Sequence, residues 1–308
     1  MFLHPFQAFS EIIKESENSI AAKIDERCKT DGLIIIKDRL QYCAIHSQEL
    51  GITKDSICDH EVVVSLTTYS LRIHEVYLTI ESIMQGSLKP NRIILWLSKD
   101  EFEGKQLPIA IQNQMKRGLE VNYCEDIRSY KKIIPSLSLF PEACIITLDD
   151  DLIYEIDLLE HLVSSYKQHH DCVSACRIHR MKTNTDGIPL PYKQWDLLQY
   201  NNTPSHNNFL TSGGGALFPP NSLHQNVKDK DTFLRLCPHA DDIWLNAMLI
   251  LNGVKVTKAF THDLGGNDFI PNESPYVQSL WSKNQNEDGN DPQIKAVWQK
   301  FELYKYFQ

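Results

Sequence analysis

Three carboxylates stand in a row at Asp149, Asp150 and Asp151, directly after the apolar run Ile145-Ile146-Thr147-Leu148 and before Leu152-Ile153-Tyr154. Three ionised side chains at the rim of a buried strand repel one another. They need either raised pKa values or a neutralising partner, and a hard divalent cation that also carries phosphate oxygens is a natural one. A solvated acidic turn is the plainer alternative, and the order of the three residues does not say which of them would bind the ion directly. A second acidic pair, Asp241-Asp242, opens a helical pattern, where carboxylates are favoured by the helix dipole and can serve as caps. Gly213-Gly214-Gly215 allows backbone to approach a ligand closely, since glycine lacks a Cβ. It lacks the spacing of a dinucleotide fingerprint and precedes a strand-like run, and a plain flexible loop has the same composition.

The elements that must position these residues alternate. Val62-Val63-Val64-Ser65-Leu66, Arg92 to Leu97, Leu119 to Tyr123 and Cys144 to Leu148 read as strands. Helical spacing is read over Ile73 to Met84 and about Ile109 to Arg117, with a short helix before Pro141. This β-α-β-α-β-α-β order predicts an α/β fold with a doubly wound, mostly parallel sheet, and such sheets hold ligands at the carboxyl ends of their strands. Further on, Ile156 to Tyr166 and the stretch after Asp242 read as helices. Val173 to Ile178 and Val254 to Phe260 read as strands, and a terminal helix is expected from about Pro292. Residues 182–208 form a loop-rich segment of the kind that lines sites. Residues 1–60 combine an amphipathic helical pattern (Phe9, Ile12, Ile13, Ile20, Ile24) with a strand-like run at Leu33 to Ile36, and carry no chemical motif.

The chain of 308 residues, 42% hydrophobic and 23% charged, can bury one substantial core. A net charge of −9 argues against non-specific binding to nucleic acid or anionic membrane, so phosphate in a substrate would be met by a metal or by a few placed cations. Eight cysteines without a C-x-x-C pair, and no signal-like N-terminus, lead to the expectation of reduced thiols in a cytoplasmic protein. The longest apolar run, Leu33 to Ile36, falls far short of the roughly 20 residues of a transmembrane helix, which leaves peripheral attachment at the inner face of a membrane open.

Taken together, the motifs resemble the GT-A nucleotide-sugar glycosyltransferases, in particular bacterial surface-polysaccharide (capsule and lipopolysaccharide) enzymes of the family 2 type. The resemblance covers about residues 61 to 265. It rests on Ser65-Leu66-Thr67-Thr68-Tyr69 with Arg72, the Asp-x-Asp site at Asp149 to Asp151, the glycine run, the pair Asp241-Asp242, and His262 after a late strand. It implies a nucleotide-binding half fused to an acceptor-binding half over residues 61–270, an N-terminal annex over 1–60 and a helical tail over 271–308. The implied activity is hexosyl or N-acetylhexosaminyl transfer from a nucleoside-diphosphate sugar, UDP-sugar foremost, to a glycan or lipid-linked acceptor, with inversion.

The resemblance also implies roles. Asp151 is the direct metal ligand, Asp149 reaches the ribose or a metal-bound water, and Asp150 is ambiguous between them. His262 is a further ligand to Mn2+ or Mg2+, although a structural histidine fits as well. Asp242 is the general base, with Asp241 beside it. Thr67, Thr68, Tyr69, Arg72 and Asp126 contact the nucleoside, and Lys132 the diphosphate. The family places small residues before that lysine whereas this chain has Arg128-Ser129, so Lys131, Lys132 and Arg128 stay equivalent at this point. The glycine run and Trp195 face the transferred sugar and acceptor, Trp195 alternatively being a buried anchor. A nucleotidyltransferase also uses carboxylate-bound metal, but Ser65 to Ser70 contains no glycine. A non-catalytic glycan- or nucleotide-binding relative is the third reading.

Overall fold

The parallel core forms where β-branched residues run without alternation, because strands covered on both faces are apolar throughout. The computed structural model describes residues 31–199, 201–262, 269–272 and 289–307. Its strands are β1 (Val62–Thr67), β2 (Arg92–Ser98), β3 (Leu119–Cys124), β4 (Cys144–Thr147), β5 (Leu152–Tyr154), β6 (Cys172–Ala175), β7 (Ile178–Arg180), β8 (Asn208–Leu210), β9 (Ala216–Phe218), β10 (Lys255–Lys258) and β11 (Phe269–Pro271). Its helices are α1 (residues 31–46), α2 (Val76–Met84), α3 (Lys99–Phe102), α4 (Ile109–Lys116), α5 (Ile134–Leu139), α6 (Leu158–Gln168), α7 (Lys230–Leu236), α8 (Asp241–Leu251) and α9 (Asn290–Phe301).

Seven strands form the central sheet in the order β10-β6-β9-β4-β1-β2-β3. All neighbours are parallel except β9, which runs antiparallel to both β4 and β6. The fold is therefore the expected α/β class with a mostly parallel sheet. The chain winds outward from β1 through β2 to β3, then crosses back to place β4 on the other side of β1, with Val62 opposite Cys144 and Ser65 opposite Thr147. That reversal is a topological switch point, and it opens a crevice beyond the carboxyl ends of β1 and β4.

Alternation along β1 divides the two faces. Val62, Val64 and Leu66 pack with Ile80 and Ile83 of α2 and Leu158 and Leu162 of α6, whereas Val63 joins Ile94 and Ile145 on the opposite side. A larger apolar cluster fills the other half, where Trp244 of α8 meets Phe233 of α7 and Ile294, Val297 and Trp298 of α9. Ser136 settles the polar groups under the sheet by bonding Ser65 Oγ and the Trp96 indole nitrogen, each at 2.7 Å. A buried pair, Arg117 with Glu81 at 2.7 Å, joins the end of α4 to α2, and Arg117 also donates to the Glu49 carbonyl, tying down the segment before β1.

Two sequence expectations are corrected. Leu33 to Ile36 is helical: the run lies in α1, where Leu33 and Leu40 pack with Leu78 and Ile153 while Ile34, Ile35 and Ile36 are exposed. The single strand expected over Val173 to Ile178 is two. β6 stays in the main sheet while β7 pairs with β8 in a separate hairpin, the chain turning at Cys176-Arg177. After the acidic triplet, Leu152 to Tyr154 lies outside the main sheet and pairs with β11. The expected helix over Phe9 to Ile24 lies outside the described residues.

Candidate active site

Leaving β4, the acidic triplet distributes its side chains in different directions. Asp150 turns inward and is buried, its Oδ2 accepting from the Thr68 hydroxyl at 2.5 Å and its Oδ1 from Arg72 at 2.8 Å. Its backbone carbonyl accepts from Thr79 Oγ1 at 3.0 Å, fixing the turn to α2. Arg72 reaches Asp151 Oδ2 as well, at 2.7 Å. Burial pushes the Asp150 carboxyl up to about 6 against the pull of Arg72. Asp151 is also raised, first by burial and then by the charge of Asp149. The loop after β1 thus supplies the cation and hydroxyl that hold the triplet in place.

Lys132 joins the triplet to the second acidic pair. Its buried ammonium lies 2.7 Å from Asp149 Oδ1 and 3.1 Å from Asp241 Oδ2. Burial alone would lower its pKa, but the surrounding carboxylates outweigh this and hold it charged. Asp241 and Asp242 occupy the first turn of α8, yet neither caps it: the N-cap is Ala240, without a side-chain cap bond. Asp242 instead points to Ser212, accepting from its backbone N–H at 2.8 Å and its hydroxyl at 2.5 Å on the same Oδ1. Burial and the neighbouring Asp241 charge push Asp242 up to about 6, while Lys132 and Ser212 restrain the rise.

Gly213 is needed where it stands, because a Cβ there would lie 1.8 Å from Asp149 Oδ2. Gly215 turns the chain into β9 with φ of +100°, a conformation that favours glycine. Tyr154, fully enclosed, accepts from the Asp149 N–H at 2.8 Å and donates to the Gly213 carbonyl at 2.5 Å, so the triplet and glycine run are one hydrogen-bonded unit.

Sequence reasoning missed Ser212 and Tyr154, which hold the acidic groups, and Arg177. The Arg177 side chain lies against Gly214, where a Cβ would come within 2.6 Å of the Arg177 Cβ. Its Nε is buried without a hydrogen-bond partner. The available signal was an arginine at the chain's exit from β6, the kind of strand end that carries ligands in such sheets.

Other expected residues lie elsewhere. Asp126 pairs with Lys131 at 2.5 Å and accepts from the Arg128 N–H, while Arg128 donates to the Pro238 carbonyl. Of the three basic residues left equivalent by the sequence, Lys132 is the one among the carboxylates. Thr67 donates to the Trp96 carbonyl at 2.8 Å, and the Tyr69 ring lies beneath the Arg72 guanidinium at 5.3 Å. Trp195 corrects the acceptor-stacking expectation. It is 4% exposed, its indole N–H bonds the Leu190 carbonyl, and its faces are covered by Tyr192 and Phe209. His262 bonds Asp157 at 2.5 Å. Among the described residues, the group of His, Cys, Asp and Glu whose ligand atoms lie within 4.8 Å of one another is Asp157, His161 and His262, and it includes none of the triplet.

The triplet can still accept a divalent cation. Asp149 and Asp151 engage Lys132 and Arg72 through one oxygen each and have side chains 41% and 30% exposed, so each has a second carboxylate oxygen for an ion; Asp150 is committed to Thr68 and Arg72. This donor set is all oxygen and suits Mn2+ or Mg2+.

No family model and no curated protein sequence matches the chain. Similar solved structures include the mannosyltransferase PcManGT from Pyrobaculum calidifontis in complex with GDP-Man and Mn2+, at 13% identity and a TM-score of 0.41, covering 78% of this chain and 65% of that one. Another is S. aureus TarS 1-349 in complex with UDP, at 13% identity and a TM-score of 0.42, covering 64% of this chain and 58% of that one. This chain thus spans less than two thirds of either structure, and likeness of this degree gives no residue-by-residue correspondence.

Proposed function

We propose that the chain is a metal-dependent glycosyltransferase that moves one sugar from a nucleoside-diphosphate sugar, UDP-sugar first among the candidates, to a hydroxyl of a glycan or lipid-linked acceptor. The observation that carries this reading is the Lys132 ammonium held between Asp149 and Asp241, which puts a donor-side acidic triplet and a base-side acidic pair into one charge network beyond β1 and β4. Such a network suits a reaction that needs preorganised charge at a departing diphosphate and a base at the attacking oxygen.

Asp242 takes the acceptor hydroxyl proton as that oxygen forms its bond to the anomeric carbon. The bond from that carbon to the diphosphate oxygen breaks with its electron pair leaving on the diphosphate, and attack from the far face inverts the centre. With its pKa near 6, Asp242 is ionised at neutral pH yet more basic than an ordinary carboxylate, as a general base requires. Ser212 fixes its orientation. Asp149 and Asp151 would hold Mn2+ or Mg2+, whose charge offsets that of the departing diphosphate. Lys132 adds fixed positive charge on the same side.

No helix among the described residues is long and apolar enough to cross a membrane. A lipid-linked acceptor would then be met by peripheral attachment at the inner face. The reading is tested by a thermal-shift screen of UDP-, GDP- and CMP-sugars with Mn2+, followed by assay of nucleotide release with and without EDTA. A stabilising donor whose turnover falls with EDTA and with Asp151→Ala is expected. Unchanged turnover under both treatments would overturn it.

A further inference from the structure

Asp157 is the residue before α6, and His161 stands one helical turn later on the same face. His262 arrives from beyond β10 to meet them. Asp157 Oδ2 lies 2.5 Å from His262 Nε2 and 3.7 Å from His161 Nε2, and all three ligand atoms fall within 4.8 Å of one another. The second oxygen, Asp157 Oδ1, is buried without a hydrogen-bond partner. Phe260 sets its ring against both imidazoles, 4.8 Å from His161 and 5.3 Å from His262, which are themselves 5.1 Å apart.

We propose that Asp157, His161 and His262 form a second metal site, of the zinc class and separate from the cation of the acidic triplet. Two imidazoles and one carboxylate are a characteristic zinc donor set, and with three protein ligands the fourth position stays open for water. Ligand atoms around a tetrahedral zinc sit roughly 3.3 Å apart at ordinary bond lengths, so shifts of about 1 Å would convert the present spacing into a coordination shell. The donor set also separates the two sites chemically. The triplet offers only oxygen, which favours Mn2+ or Mg2+, whereas nitrogen donors favour zinc. Entry is open, since the His262 side chain is 57% exposed. A metal here would pin the end of β10 to the start of α6, and α6 carries Leu158 and Leu162 into the core beneath β1.

The test uses the full chain, stripped with chelator and then titrated with Zn2+ by calorimetry, with Co2+ absorption as a report of tetrahedral coordination. One Zn2+ per chain is expected at this site. His161→Ala and His262→Ala should each weaken it by about 100-fold or more, and the near-isosteric Asp157→Asn should weaken it as well with the far-ultraviolet circular dichroism unchanged. Asp151→Asn should leave it as it was. Absence of saturable Zn2+ binding in the parent chain, or its loss in Asp151→Asn to the same degree as in His161→Ala, would overturn the proposal. The second result would move His262 to the triplet's cation. Zn2+ binding is read without any sugar transfer, so failure here and failure of the glycosyltransferase reading are separate results.

Discussion

The acidic triplet and the Asp157 cluster flank the same short strand, β5, and manage carboxylate charge by different means. At the triplet the neutralising partners are Arg72 and Lys132, permanently charged and buried, backed by the Thr68 hydroxyl and the Tyr154-to-Gly213 bond. At Asp157 the partners are two imidazoles, whose ring nitrogens can themselves serve as metal ligands. The difference shows which site depends on an ion for its shape. A carboxylate facing fixed cations keeps its place when metal is removed, whereas one grouped with two potential nitrogen donors gains most from an added cation.

The largest expected effect tests the triplet side as chemistry rather than scaffold. Asp242→Asn keeps the Ser212 bonds in outline but removes the base, and turnover should fall by about 100- to 10,000-fold with little change in melting temperature. Retained turnover would reassign Asp242 to structure. Next in size is Lys132→Met, which strands Asp149 and Asp241 without their shared cation; loss of one partner from a buried ion network costs about 3 to 5 kcal/mol. Denaturant unfolding should show this loss, and Lys132→Met combined with Asp241→Asn should recover part of it. An equal loss in the double variant would argue against the coupling.

The Asp157 side is sharpened by a smaller number. Zn2+ at about 100 times its Kd should stabilise the parent chain by about 2.7 kcal/mol, and His161→Ala should abolish that increment while Asp151→Asn keeps it. Gly213→Ala returns to the triplet. Its Cβ would displace the Asp149 carboxylate, and overpacking of this kind costs about 1 to 3 kcal/mol. Because Asp149 would move, nucleotide-sugar affinity should drop along with stability. A neutral effect on both would mean that the close approach is relieved elsewhere.

The fold was legible in the sequence wherever burial on both faces imposed unbroken apolar runs, as in Val62 to Val64 and Ile145-Ile146. It failed where a local pattern had two solutions. Four apolar residues in a row, Leu33 to Ile36, fit a short strand or a stretch of helix, and only the packing of Leu33 and Leu40 against Leu78 and Ile153 decides. Val173 to Ile178 reads as one strand because the turn at Cys176-Arg177 contains neither glycine nor proline. In the site, residue type identified the two acidic groups, since runs of carboxylate next to apolar strands are costly without a partner. Which cation serves them was hidden, because Lys131 and Lys132 are neighbours in sequence and opposites in space. Trp195 was misassigned because an aromatic in a loop is equally able to cover a core or face a ligand, and Phe209, which covers it, is remote in sequence.

The finest comparison lies within the acidic groups, between holding a carboxylate and tuning it. Asp150 and Asp242 both titrate near 6, above the ordinary carboxylate range. A folded-state pKa raised in this way stabilises the protein fully below about pH 4, and that contribution is lost as pH rises through about 6. Activity should run the other way, rising through about pH 6 as Asp242 ionises. Ser212→Ala separates the two carboxylates. It removes a hydroxyl that favours the ionised form of Asp242 and leaves Asp150 untouched, so the acid limb of turnover should move up by about one pH unit. Turnover near pH 8 should be nearly preserved, whereas a uniform loss at every pH would mean that Ser212 positions Asp242 without tuning it.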